Sequence, residues 1–276
     1  MKKVFLLAII AAFSLNLMAQ VSMPAASPTQ TIKQAFGMGS IELTYSRPSI
    51  KSRKVFAEGS ELAPLGKLWR TGANAATKLK FTDFVNIGGK KLDSGTYVLY
   101  TIPNNNEWEI IINKGLENWG IDGYKESEDV VRIKVPVSKI GYNIETFTMQ
   151  FADIKNESCE LHIMWGNVVV KIPMMTDIKD RLRKQVEAAI QKAPYQQAAN
   201  FYFEWDKNYP KALENINKAI EGNPKAFWMY LTKAKIEKEM GDKKAAKMSA
   251  EKTIEFATQE KNDDYVRQAK DLISKL

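Results

Sequence analysis

The spacing of apolar residues changes period near Met174, and that switch constrains the fold more than any single motif. From about Gln30 to Pro173 the chain is built from short runs rich in β-branched and aromatic residues. They read IELTYS, TKLKF, TYVLYTIP, EWEIIIN, VVRIKVPV, ETFTMQF, CELHIMW and VVVKIP. Several alternate apolar and polar residues with period two, as strands with one buried face do. Turn-forming residues separate them at Gly88-Gly89, Asp93-Ser94-Gly95, Asn104-Asn105-Asn106, Lys155-Asn156-Glu157 and Gly166-Asn167. Gly166-Asn167 predicts a tight hairpin between Trp165 and Val168, because both residues accept positive φ. No stretch between the runs offers a helix long enough for a parallel crossover. The expectation for 28–173 is therefore an antiparallel β-sandwich or jelly-roll-like domain.

Beyond Met174 the period becomes helical. Ile178, Leu182, Val186 and Ala189/Ile190 recur at steps of three and four, predicting a helix from Asp177 to Ala193 that Pro194 stops. Five more helices follow, roughly 195–207, 210–222, 225–240, 242–258 and 262–275. Pro210 and Pro224 fall at helix starts, and Gly222-Asn223 and Gly241-Asp242 are stop signals. A 34-residue frame opened at 193 places Ala212, Ala219 and Pro224, then Ala234 and Ala246, at positions where paired helices need small residues. YPKALENINKAIEGNP and MGDKKAAKMSAEKTIE make this region resemble tetratricopeptide repeats, while Asn200, Thr253 and Thr258 depart from the pattern. The whole chain is thus expected to be a two-domain α+β protein. An all-α, tetratricopeptide-like region over 177–276 would hold about two degenerate repeats and a closing helix. The resemblance implies a small peptide-binding groove, a scaffold or a dimer surface.

Met1-Lys2-Lys3, the apolar run Val4 to Phe13 and Ala19/Gln20 read as a signal peptide over 1–19 with its cut near Ala19. The expected product is exported, periplasmic or extracellular, and soluble after cleavage, with no stable membrane anchor. The single cysteine, Cys159, allows neither an intramolecular disulfide nor a lipidated residue after the leader. It sits in an apolar-alternating run and reads as a buried small hydrophobe. The formal net charge is +8, but both signs are interspersed, so nucleic acid is not an expected partner.

Most reaction classes lack their residues. A zinc centre or a Ser-His-Asp triad would have to use His162, the sole histidine, with Glu160 two residues away on the same strand face. No Gly-x-Ser-x-Gly elbow is present, and Gly88-Gly89-Lys90-Lys91 is a hairpin turn rather than a phosphate loop. Asp83, Asp93, Glu107, Glu109, Glu117 and Asp122 lie mostly near turns, and nothing pairs two of them for glycoside hydrolysis. Neither a catalytic residue, nor a metal site, nor a cofactor is expected.

Binding is left. Residues 45–77, YSRPSIKSRKVFAEGSELAPLGKLWRTGANAAT, interleave cations with aromatic rings. Arg47, Arg53 and Arg70 offer planar charged forks for an anion. Trp69, Trp108 and Trp119 offer ring faces, Asn74 and Asn113 offer amides, and Gly72 permits close backbone approach. Alternation puts Trp69 and Arg70 on opposite faces, so a shared pocket requires the chain to break at Thr71-Gly72. The competing reading makes Arg47 and Arg70 clamps on backbone carbonyls and Trp69 part of the core.

YSRPSIKSRKVF, PLGKLWRTGANAATKLKF, GGKKLDSGTYVLYTIPNNNEWEIIINK and NWG resemble the domain of unknown function 2911, a family of exported bacterial proteins, over about residues 27–173. The resemblance implies the β-domain and its limits, and no activity. The expected function is a non-catalytic binding or scaffold role in the cell envelope. The alternatives are an enzyme or binder of an anionic or glycan ligand at the Arg/Trp cluster, and a peptide or protein partner on the helical region.

Overall fold

The computed structural model describes residues 23–190 and 194–276. The signal peptide read over 1–19 and the end of the first predicted helix at 191–193 lie outside the described residues. The chain divides into two compact units, one ending at Thr176 and the other Asp177–Leu276.

The first unit is the expected antiparallel β-domain. Its strands are β1 (Thr29–Phe36), β2 (Gly39–Ser46), β3 (Thr77–Phe81), β4 (Val85–Ile87), β5 (Lys90–Leu92), β6 (Gly95–Ile102), β7 (Glu107–Asn113), β8 (Asp129–Ala152) and β9 (Ser158–Met175). They pair in the order β1-β2-β3-β6-β7-β8-β9-β4-β5. Strand β8 belongs to both parts of the sheet: Asp129 to Pro136 pair with β7, and Val137 onward pairs with β9. Leu43, Leu79, Leu99 and Ile110 from one part share a single core with Val85, Leu161, Ile163, Val170 and Ile172 from the other. A backbone seam helps to close the fold, with Phe147 N–H donating to Pro48 O (2.8 Å) and Ile50 N–H to Glu145 O (3.0 Å). In β3 the alternation is strict: Thr77, Leu79 and Phe81 point in, and Lys78 and Lys80 point out. The outward face of β6 and β7 is also buried, because Leu116 and Tyr124 pack over Val98, Tyr100 and Ile111.

The structure corrects two expectations. CELHIMW and VVVKIP are not two strands joined at Gly166-Asn167 but one continuous strand, β9. Gly166 does take the positive φ expected of it, 58°. It uses it inside the strand, opposite Ile144, where the register with β8 shifts. VVRIKVPV and ETFTMQF likewise belong to a single strand, β8, whose extra residues are absorbed at the same irregularities. The hairpin turn between β8 and β9 lies at Asp153 to Glu157, after Ala152 pairs with Glu160, where Lys155-Asn156-Glu157 signals a turn in the sequence.

The second unit comprises α1 (Lys179–Ile190), α2 (Tyr195–Glu204), α3 (Tyr209–Gly222), α4 (Phe227–Glu239), α5 (Lys243–Gln259) and α6 (Asp263–Ser274). Each packs mainly on its sequence neighbours. Of the small residues of the repeat frame, Ala212, Ala234 and Ala246 are fully buried and Ala219 is half-buried. The frame recurs in the caps. Asn208 accepts from Lys211 N–H and Asp242 from Ala245 N–H, one 34-residue period apart. Each cap follows a residue of positive φ, Lys207 or Gly241.

Candidate functional site

The connection from β2 to β3 carries most of the sequence-predicted site, and it turns its aromatic residues inward. Trp69 is 4% exposed and Trp108 1%. Trp69 stacks on Trp165 at 6.0 Å and meets Phe147 edge-on at 5.1 Å. Phe56 contacts Trp69, Trp108 and Trp165. These ring faces are covered by other rings and have none left for a sugar. The backbone of Trp69 bonds both ways to Thr101 of β6, and its indole N–H donates to Gly72 O at 3.2 Å. Gly72 is buried beside Ser46, so close that a Cβ there would sit 3.0 Å from Ser46 O.

The arginines mostly hold backbone. Arg47 donates to Phe147 O (3.1 Å) and Thr148 Oγ1 (2.9 Å). Arg53 donates to Ile50 O and Ser49 O within its own turn. Arg70 donates to Asn74 O (2.9 Å), and its guanidinium lies against Gly120. The chain does break after Arg70, with positive φ at Thr71 and Asn74. The break does not bring Trp69 to Arg70's side. Of the predicted residues, Arg70, Gly72 and Asn74 share a shallow hollow of about 180 Å³ with Pro48, Glu61, Leu62 and Ala73. Arg47, Arg53, Trp69 and Trp108 do not line it, and it is smaller than the usual range of ligand pockets.

Asn113 is fully buried and saturated. Its amide donates to Lys125 O and Asp129 Oδ1, and its oxygen accepts from Gly115 N–H. Next to it Arg132 bridges Glu109, Asp129 and the Tyr124 hydroxyl. Burial works against the Arg132 charge, but the bonds to Glu109 and Asp129 outweigh it and raise its pKa. Burial, then the bond to Asp129, pushes the Tyr124 phenol up to about 12. Every group in this network is committed to another. Trp119 stands apart, 64% exposed on the segment that follows β7.

The helical unit holds a larger concavity that residue-by-residue reading missed. It measures about 430 Å³ and is lined by Phe203 of α2, Lys235, Lys238 and Glu239 of α4, and Gln268, Asp271, Leu272 and Lys275 at α6. Alternate helices of the repeat frame therefore share one face. Lys275 pairs with Asp271. Lys235 and Lys238 pair with no acidic side chain among the described residues. The usable signal was the frame itself, since it aligns α2, α4 and α6.

One group of metal-ligating side chains also comes together, Asp153, Glu160 and His162 at the β8–β9 turn. Cys159, next in sequence to Glu160, is buried on the opposite strand face. Burial, and then Glu160, push its thiol up to about 11. No helix among the described residues is long and apolar enough to cross a membrane.

A search of curated proteins returns no match for the chain. The family model described as "Protein of unknown function (DUF2911)" matches residues 27–174, which span the β-domain and more than half of the chain. The LWRTGANAAT run that turns Trp69 into the core and Arg70 onto Asn74 lies within that match, and the chain belongs to the DUF2911 family.

Proposed function

We propose that this is an exported, non-catalytic binding protein of the cell envelope, and that its helical unit carries the ligand. The single observation behind this is the concavity across α2, α4 and α6. Phe203 and Leu272 give it an apolar floor, and its rim carries Lys235, Lys238 and the Lys275–Asp271 pair against one further carboxylate, Glu239, a net positive balance. That combination suits a short peptide with acidic residues beside an apolar one. The β-domain's arginines support the same division of labour, because their donors hold their own backbone. Export rests on the basic start, the short apolar run and the small residues at Ala19/Gln20.

The test is fluorescence anisotropy with labelled peptides that pair aspartate or glutamate with leucine or phenylalanine, set against lysine-bearing controls. The expected result is saturable binding of acidic peptides that weakens with salt and falls about tenfold or more in Lys235→Glu/Lys238→Glu. Equal binding by the charge-reversed variant, or none by the wild type, removes this reading.

A further inference from the structure

We propose that Asp153, Glu160 and His162 form a transition-metal site of the kind zinc takes, at the turn of the β8–β9 hairpin. Glu160 and His162 are two residues apart on β9 and so project from one face. Asp153 directly follows Ala152, the β8 residue paired with Glu160, and its positive φ of 48° starts the turn. Donor atoms from the three side chains lie within 4.8 Å of one another. Three donors from one hairpin leave a fourth position open to water or a ligand, as catalytic and exchangeable zinc sites do. The mixed set of one imidazole and two carboxylates selects the class. Imidazole favours zinc and its neighbours, whereas calcium and magnesium take oxygen alone.

Charge supplies an independent argument. Asp153 and Glu160 bring two carboxylates together, and no lysine or arginine among the described residues forms an ion pair with either. His162 Nε2 lies 2.7 Å from Glu160 Oε2, on the same side of the hairpin. A divalent ion supplies the counter-charge that no lysine or arginine among the described residues gives these carboxylates, and takes the imidazole nitrogen as a further ligand. Sequence spacing shows Glu160 and His162 as a pair; only the hairpin adds Asp153.

The chain's single histidine makes the test direct. Tag-free full-length protein is titrated with zinc chloride by calorimetry, with magnesium and calcium as controls. Imidazole resonances are followed in parallel by NMR. The expected result is one saturable zinc site, a shifted His162 signal on loading, and a dissociation constant weakened about tenfold or more in His162→Gln and in Asp153→Asn. Because the NMR readout uses the wild type, it stands even if a variant misfolds. An unmoved imidazole signal during zinc titration overturns the proposal and leaves a plain His162–Glu160 hydrogen bond. Zinc affinity unchanged in correctly folded variants does the same.

Discussion

Trp69 is fixed on every side: its backbone by Thr101, its indole N–H by Gly72 O, and its ring by Phe147, Trp165, Trp108 and Phe56. Removing it opens a cavity in the shared core that rigid neighbouring rings cannot fill. Trp69→Ala is therefore expected to cost about 3–5 kcal/mol. The arginines rank by what their bonds reach. Arg47 ties the loop to β8 roughly a hundred positions away through two bonds. Arg53 is exposed and bonds only within its own turn. Arg47→Ala should cost about 1–3 kcal/mol and Arg53→Ala about 0.5 kcal/mol. Urea unfolding of the three variants, followed by tryptophan fluorescence, checks the order; an Arg53→Ala loss equal to that of Trp69→Ala contradicts it. The cation-and-aromatic composition of this segment was legible in the sequence. Its destination was not, because composition cannot tell an arginine facing a ligand from one facing a carbonyl of β8.

Among the elements, those recognised from periodicity kept their limits where the pattern was local. TKLKF and EWEIIIN are β3 and β7 residue for residue, and α2 to α6 begin within two residues of their expected starts. The errors fell where a local signal served a long-range purpose. Gly166 has the φ of a turn but pairs inside β9, since β8 is long enough to continue opposite it. The interface of α4 and α5 holds another such feature. Glu237 is 5% exposed, donating nothing and accepting from Ser249 Oγ at 2.6 Å, with Lys233 Nζ 3.8 Å away. Burial raises its pKa, while Ser249 and Lys233 pull the other way without cancelling the shift. The folded state then holds this proton more tightly than the unfolded one. Its stabilising contribution is full below the ordinary glutamate range and is lost as pH rises through the raised value. At pH 7 the buried charge is a net cost. Glu237→Gln, which keeps a partner for Ser249, is expected to stabilise the helical unit by about 1 kcal/mol at pH 7. It should also flatten the pH dependence above the ordinary glutamate pKa. Thermal melts at 222 nm from pH 4.5 to 7.5 measure both, and an unchanged slope in the variant would refute the assignment.

For the whole molecule, the switch of period near Met174 anticipated two differently built parts, and the chain divides after Thr176. Each unit has its own hydrophobic clusters: one large core and a small outer cluster in the β unit, and two across the helices. Such parts can unfold independently. The single cysteine can report on one of them alone. Cys159 is 2% exposed in the β core, and a thiol pKa of about 11 instead of 9.0 lowers its thiolate fraction roughly a hundredfold near neutral pH. Steric burial reduces its reactivity further. Labelling by a chromogenic disulfide at pH 8 must then wait for the β unit to open. The expected outcome is slow labelling in the native protein that stays slow through any urea range where only the helical signal is lost, then accelerates with the β transition. A fragment spanning 27–176 should label as slowly as the full chain, because the core around Cys159 lies wholly within it. Labelling of that fragment at the rate of an unstructured thiol would show that the β-domain needs the helices to fold, and would make the period switch a boundary of pattern rather than of stability.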